Sequence, residues 1–316
     1  MNYSIAIAGT TKRTRQCAQS LLESDLFNIS WVLTPIAKPI GRKQVITPNP
    51  LDNFASENGI ITVWVDSKIN QETQIEINKL ERPDFLLVVD FGYIVPNWLL
   101  EVPRISPLNI HPSELPKWRG SSPGQFSILF NDKKSAVSLM VMDKKLDHGP
   151  IIHQDLFDIN PTWNQEEYYQ HAFDLICNNL DKKIANFAAN QYLVIKQPEE
   201  SPTLTAKNIS KNETFVPWEY IQASMKGLHP SDLSDLSKLL QNAYKSNKNL
   251  ALTLERASKA FNPWPNLWTI IQTNQGQKRM KIIDSELNEN KLILNTVQIE
   301  GKNLSKWNEV KNSILS

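Results

Sequence analysis

The alternation in the N-terminal half constrains this chain more than any other feature. Short Ile/Val-rich runs at residues 4–8, 29–33, 60–65 and 85–89 are bounded by turn residues and read as strands. Between them, residues 15–22, 51–58 and 72–80 carry apolar side chains at helical spacing. Strands that alternate with helices are joined by right-handed crossovers, which makes the expected fold α/β with a doubly wound, mostly parallel sheet. Helices then cover both faces, and functional sites form beyond the carboxyl ends of the strands.

Further strands are expected at 108–110, 137–142 and 151–159. One long helix is expected over 164–190, with Tyr168, Phe173, Ile176, Leu180, Ile184 and Phe187 on a common face. The polar, Pro-containing stretch that follows has no periodicity and reads as a linker. A short helix at 253–260 and strand-like pieces at 267–272, 279–283, 291–294 and 297–299 suggest a small barrel, expected to be OB-like. A length of 316 residues suits about two domains. The expected division is a domain over 1–190, a linker over 191–210 and a barrel domain over 211–316.

Composition narrows the classes. With 41% hydrophobic and 21% charged residues the chain is of ordinary globular type, and no apolar run approaches the ~18 residues a membrane helix needs. The N-terminus lacks the basic region of a secretory signal and reads better as a first strand. Two cysteines, Cys17 and Cys177, make neither a disulfide framework nor a zinc site. Both read as buried core residues of a protein in the reduced cytoplasm. Charge is uneven. From residue 241 onward there are 11 basic and 6 acidic residues, against 23 and 27 in the rest of the chain. A basic tail on a mildly acidic body suits a polyanion-binding appendage as well as a solvated lysine-rich surface.

The chemistry concentrates in "PLNIHPSELPKWRG", residues 107–120. Asn109 and His111 are two apart at the end of an expected strand, so their side chains leave on one side, and Pro112 ends the pairing because it has no N–H. An Asn amide donates a hydrogen bond to a developing oxyanion without carrying charge, and His exchanges protons near neutral pH. A strand-end His bonded to a nearby backbone group is the plainer reading of that residue alone. Downstream, "MDKKLDHGPII" places Asp147 in a Gly-containing loop between apolar runs, where the carboxylate can be held beside the His. An amide donor, an imidazole and a carboxylate suit attack of an amine on a carbonyl. No Gly-x-Ser-x-Gly, His-Glu-x-x-His or Cys-x-x-Cys motif is present, and no metal site is expected. The single Gly of "IAGTTKRT" falls short of a dinucleotide fingerprint.

Asn109-Ile-His111-Pro-Ser-x-Leu-Pro-x-x-Arg-Gly120, followed by Asp147-x-Gly, resembles the 10-formyltetrahydrofolate-dependent formyltransferases. The resemblance implies a catalytic trio of Asn109, His111 and Asp147. It also implies a folate pocket bordered by Val89, Asp90, Phe91, Gly92, Ser113, Leu115, Pro116 and Asp143, with 10-formyltetrahydrofolate as donor substrate. "AFNPWP" at 260–265 and "VQIEGKNLSKW" near the end resemble the C-terminal barrel of the family's tRNA-acting branch, and residues 34–60 resemble the loop of that branch that enters the acceptor stem. The implied acceptor is the α-amino group of methionyl initiator tRNA, and Lys38, Arg42, Lys43, Lys207 and Lys211 are the implied RNA contacts. A sugar-nucleotide N-formyltransferase, with the same trio and another acceptor, is the competing expectation. The resemblance also implies a monomer. Departures from the family pattern stand at Thr10–Arg13, where Ala-Gly-Thr is usually followed by Pro, and at Asp90, where a small residue is common. Residues 222–249 look like an insertion, read as a helical spacer. Trp264 and Trp268 are expected to pack in the core.

Overall fold

A computed structural model describes residues 2–40 and 44–314. The chain forms two compact units, Met1–Arg119 with Ala136–Leu156 and Gln170–Leu204, and Gly120–Ser135 with Phe157–Tyr169 and Thr205–Ser316.

In chain order the first elements are β1 (Tyr3–Gly9), α1 (Lys12–Leu22), β2 (Phe27–Pro35), β3 (Lys38–Ile40), β4 (Val45–Thr47), α2 (Pro50–Glu57), β5 (Ile61–Val65) and α3 (Gln71–Ile77). There follow β6 (Phe85–Val89), α4 (Asn97–Leu100), β7 (Ser106–His111), α5 (Pro123–Leu129), β8 (Lys134–Val141), β9 (Ile151–Asp158), α6 (Gln165–Cys177) and α7 (Leu180–Ala188). Seven strands form one sheet in the order β5-β2-β1-β6-β7-β8-β9. β5, β2, β1, β6 and β7 run parallel, and β8 is antiparallel to β7. The chain winds outward from β1 to β5, then crosses to β6 on the other side. The switch point therefore lies between β1 and β6, and their carboxyl ends flank the crevice where ligands bind in such sheets.

Strand alternation sorts the core by face. Ala6, Ala8, Leu86 and Val88 pack with Ile77 of α3 and Leu99 of α4. From the other face Phe85 meets Tyr3, Phe27 and Phe187 of α7. Gly9 is required at the end of β1, because a Cβ there would lie 2.3 Å from both the Thr14 side chain and Val89 O. That approach lets Thr14 Oγ1 donate to Val89 O at 2.8 Å, pinning the start of α1 to the end of β6. Thr11 caps α1 by accepting from the Arg13 and Thr14 amides.

The structure corrects several expectations. The helix expected over 164–190 is two helices, α6 and α7, broken at Asn179, whose φ of 62° is left-handed. Lys183, 7% exposed, turns into the break, where its Nζ donates to Leu175 O, Ile176 O and Asn178 O and pairs with Asp155 at 2.8 Å. A lysine that satisfies frayed helix carbonyls removes the usual penalty for ending a helix inside the protein. The stretch 34–60, expected as a loop, contains an exposed two-stranded antiparallel ribbon of β3 and β4, with Lys38 opposite Thr47, and, where helical spacing runs over 51–58, the helix α2. Cys17 is buried, but Cys177, the last residue of α6, is half-exposed and lines a groove of about 530 Å³ along α1. Their Sγ atoms are 3.5 Å apart.

The second unit adds α8 (Trp218–Met225), α9 (Lys238–Asn247), α10 (Leu250–Ala260), β10 (Leu267–Thr273), β11 (Gly276–Asn288), β12 (Lys291–Ile299), β13 (Leu304–Lys306) and α11 (Trp307–Val310). β10 to β13 make an antiparallel four-stranded sheet. Register shifts around Asp284 bend the long β11, and the two pieces expected at 291–299 are the single strand β12. Bridges from Phe215 to Trp268 and from Ile314 to Thr273 cover the open edge of β10. Within 222–249, α9 buries Leu239, Leu240 and Ala243. Trp264 is not a core residue: it is 58% exposed, held by its backbone, whose carbonyl accepts from Gln165 Nε2 at 2.7 Å. Trp268 is half-buried against Phe215, with the Arg279 guanidinium 4.7 Å above its ring. No helix among the described residues is long and apolar enough to cross a membrane.

Candidate active site

The site is built at the carboxyl ends of β6 and β7. Asn109 pairs with Val88 across the two strands, and its Nδ2 donates to Val88 O at 3.1 Å. One amide proton is thereby used and one remains. Asn109 Oδ1 is buried and has no hydrogen-bond partner among the described residues. A buried acceptor left in that state is costly, on the order of 1–3 kcal/mol, unless a bound molecule donates to it.

His111 closes β7 and is 5% exposed. Its Nδ1 stands 3.6 Å from Asp147 Oδ1, and its Nε2 faces Trp118 O at 3.0 Å. Both readings of this residue hold at once: it is satisfied by a backbone carbonyl and also faces a carboxylate. Nε2 therefore has a backbone partner, while Nδ1 faces the Asp147 carboxylate at ion-pair distance. Asp147 is itself largely covered, with 12% of its side chain exposed. Asn109 and His111, from the end of β7, thus meet Asp147 from the loop between β8 and β9.

Asp147 reaches this position on a tight turn. Its φ is 50°, and two residues later a Cβ on Gly149 would lie 1.9 Å from Val141 O. Only glycine admits that approach. Left-handed backbone recurs around the site at Asp90 (φ 47°) and Trp118 (φ 57°). Conformations of this kind cost about 1–3 kcal/mol each and persist where the surroundings hold them.

The residues implied for the folate pocket divide by exposure. Val89, Ser113 and Leu115 are buried, and Leu115 packs with Met140 and Ile151. Ser113 Oγ donates to Lys117 O, its carbonyl accepts from Ser138 Oγ at 2.6 Å, and Pro116 O accepts from Ser201 Oγ. Ser113, Leu115 and half-buried Pro116 shape the loop after β7, and Val89 ends β6. Asp90 and Phe91 are half-buried and Gly92 is exposed at the end of β6. Asp143 accepts from the Lys145 amide at 2.8 Å and from His148 Nδ1 at 3.1 Å, which folds the loop leading to Asp147.

Lys38 is exposed on the ribbon, whereas Arg42 and Lys43 lie outside the described residues. Lys207 pairs with Glu213 at 2.9 Å, and Lys211 is exposed beside Trp268, whose Nε1 donates to its carbonyl. Lys38 belongs to the first unit, Lys207 and Lys211 to the second. Among the described residues no group of three or more His, Cys, Asp or Glu is arranged to hold a metal ion.

The sequence gives no role to Arg13, Arg119 or Gln197. Arg13 Nε meets Asp90 Oδ2 at 2.5 Å, and Thr11 Oγ1 donates to the same oxygen at 2.8 Å. Arg119 stood inside the quoted motif with no role, and Gln197 sits in a stretch with no pattern to mark it.

A family model described as formyl transferase matches residues 1–180. The chain belongs to the formyl transferase family. Among its relatives, the methionyl-tRNA formyltransferase of Sulfurovum sp. is 32% identical over 219 residues, 69% of this chain and 70% of the relative. The methionyl-tRNA formyltransferase of Mycoplasma capricolum is 30% identical over 304 residues, 95% of this chain and 92% of the relative. Solved structures share the fold. The methionyl-tRNA formyltransferase from Clostridium thermocellum superposes with a TM-score of 0.55 at 17% identity, over 94% of this chain and 98% of that one. An N-formyltransferase from Helicobacter canadensis, in complex with folinic acid and dTDP-3-aminofucose, gives 0.58 at 21% identity, over 91% and 88%.

Proposed function

We propose that the chain transfers the formyl group of 10-formyltetrahydrofolate to the α-amino group of methionyl initiator tRNA. The acceptor follows the names of relatives that match the chain along most of its length. The observation that carries the chemistry is the convergence of Asn109, with its unused amide proton and unpartnered Oδ1, on a His111 held against Asp147.

In this reading the amine nitrogen attacks the formyl carbon, and the carbonyl oxygen becomes an oxyanion. Asn109 Nδ2 donates its second proton to that oxygen. His111 Nε2–H, which faces the neutral carbonyl of Trp118 at 3.0 Å, finds a stronger acceptor in the oxyanion. Asp147 holds the ring and takes part in moving the proton off the amine. Collapse of the intermediate reforms the carbonyl and breaks the bond to N10 of the folate, which takes up the proton that the amine has lost. Asn109 Oδ1 is placed to accept an N–H of the bound reactants. Asp90, Phe91, Gly92 and Asp143 line the donor site, and Val89, Ser113, Leu115 and Pro116 support it. Lys38, Arg42, Lys43, Lys207 and Lys211 meet phosphates of the RNA and set affinity rather than selectivity.

The test is a formyl-transfer assay with 10-formyltetrahydrofolate and methionyl initiator tRNA. The wild type should transfer, and Asn109→Ala should lose about a hundredfold or more in turnover while remaining folded. A loss below about tenfold removes Asn109 from its role. Folate binding without transfer to tRNA would move the acceptor to an amino-sugar nucleotide.

A further inference from the structure

A closed ring of contacts runs around the His111–Asp147 pair through two side chains that the mechanism above does not use. Gln197 is 4% exposed. Its Nε2 donates to Asp147 O at 3.1 Å and to Gly149 O at 2.7 Å, and its Oε1 accepts from Arg119 Nε at 3.2 Å and Nη2 at 3.0 Å. The amide orientation is dictated by the partners, since a guanidinium can only donate and carbonyls can only accept. Arg119, 8% exposed, also donates to Glu199 O at 3.0 Å and to Pro198 O at 2.7 Å. It directly follows Trp118, whose carbonyl faces His111 Nε2 and whose amide donates to Thr203 Oγ1 at 2.7 Å. One network therefore holds the far side of His111 and the backbone beneath Asp147.

We infer that Gln197 and Arg119 are positioning residues for the Asp147 carboxylate. They clamp the 147–149 turn so that Asp147 stays against His111. The inference rests on the formyl-transfer reading for its kinetic consequence. Two features point to positioning rather than to packing. The amide grips the two carbonyls that flank His148, at the turn where Asp147 takes its left-handed φ of 50°. And an apolar side chain would fill the same buried volume without the burden of satisfying four polar bonds and a guanidinium. With the clamp gone, the turn is free to relax toward ordinary backbone angles, and a misplacement of ~1 Å in such a group costs about a hundredfold in rate.

The deciding variant is Gln197→Glu. Its carboxylate still accepts from Arg119, which protects the fold, but it cannot donate and turns an oxygen toward Asp147 O and Gly149 O. Arg119→Lys, which keeps the charge and loses the fork, is read alongside in case Gln197→Glu does not fold. The expected result, at a temperature where the variant is folded, is a fall in kcat of about tenfold to a hundredfold with the KM for 10-formyltetrahydrofolate within about twofold. A kcat within about twofold of wild type in a folded variant overturns the inference. So does a fall in melting temperature with kcat intact, which is the mark of a purely structural glue. If the wild type transfers no formyl group, it is the functional reading that fails. The clamp is then judged by amide hydrogen exchange at residues 144–150, where at least about tenfold faster exchange in Gln197→Glu supports it and unchanged exchange overturns it.

Discussion

Arg13 and Asp90, 77 residues apart, meet at 2.5 Å with about a fifth of each side chain exposed. Both lie in stretches where the chain departs from the pattern it otherwise resembles, and they touch. The pair stands at the switch point of the sheet, and Thr11 completes it from the N-cap of α1. Asp90 lies two residues beyond Val88, whose carbonyl orients Asn109. A charge-assisted bond in this setting contributes about 1–2 kcal/mol. Arg13→Ala and Asp90→Ala should each weaken folate binding, and a double-mutant cycle on the dissociation constant should show coupling of about 1 kcal/mol or more. Additive effects would mean that the two departures are independent.

Gly149→Ala should be among the more damaging small substitutions. The new Cβ would fall 1.9 Å from a backbone oxygen, Val141 O, which no side-chain rotation relieves. The cost should be about 3 kcal/mol or more, read from denaturant unfolding, and transfer should fall even at temperatures where the variant remains folded.

Lys183→Met keeps most of the side chain's apolar stem and removes its charge. It leaves Asp155 without its buried cation and strips a donor from three carbonyls at the break between α6 and α7. Loss of a fully buried partner is worth about 3–5 kcal/mol, but Asp155 is partly exposed and also bonded to His153, so about 2–4 kcal/mol is expected. Equilibrium unfolding in urea checks it. A change below about 1 kcal/mol, on the scale of an exposed pair, would mean that solvent replaces the lysine in the break.

Stability should fall on the alkaline side. Burial, joined by the neighbouring Cys177 thiol, pushes the Cys17 thiol well above its ordinary value of 9.0, and burial with the nearby Asp235 carboxylate raises the Tyr220 phenol above 10.0. Both groups therefore hold protons in the folded state that the unfolded chain releases first. Their contribution is fully present below about pH 9 and is lost as pH rises through the folded values. The unfolding free energy should be level from about pH 7 to 8.5 and decline above about pH 9, less steeply in Cys17→Ala. At about pH 8 an alkylating reagent should label half-exposed Cys177 well before buried Cys17, as read by mass spectrometry.

Binding of methionyl-tRNA should weaken with salt. Removing one phosphate-binding cation, as in Lys211→Ala or Lys38→Ala, should lower the slope of log affinity against log salt by about 1. A wild-type affinity unchanged between low and physiological ionic strength would remove electrostatics from recognition.

The strands were legible because each condition for them is local. Runs of Ile and Val bounded by turn residues mark β1, β2, β5 and β6, and 85–89 is matched residue for residue. The long helix over 164–190 was misread for a reason equally physical. Its apolar face is continuous, but the pair Asn178–Asn179 tolerates the left-handed turn, and a lysine four residues on satisfies the carbonyls that the turn releases. Periodicity reports which side chains are buried, not whether the backbone between them is continuous. Trp264 shows the converse, a large aromatic side chain turned outward because its backbone, not its ring, is what the fold grips.

By itself the sequence determined where the strands of the first sheet run and which residues stand at the end of β7, because runs of Ile and Val and the Pro that stops them act within a few residues. It also marked Asn109, His111 and Asp147 by type and order. The tertiary structure alone decided that Asp147 faces His111, that Arg13 pairs with Asp90, and that Gln197 grips the turn under Asp147. Gln197 acts on carbonyls, which every residue carries, so no pattern of side chains announces it. The strength of such contacts depends on distance and burial, and both are set only when the sheet order brings distant strand ends to one crevice.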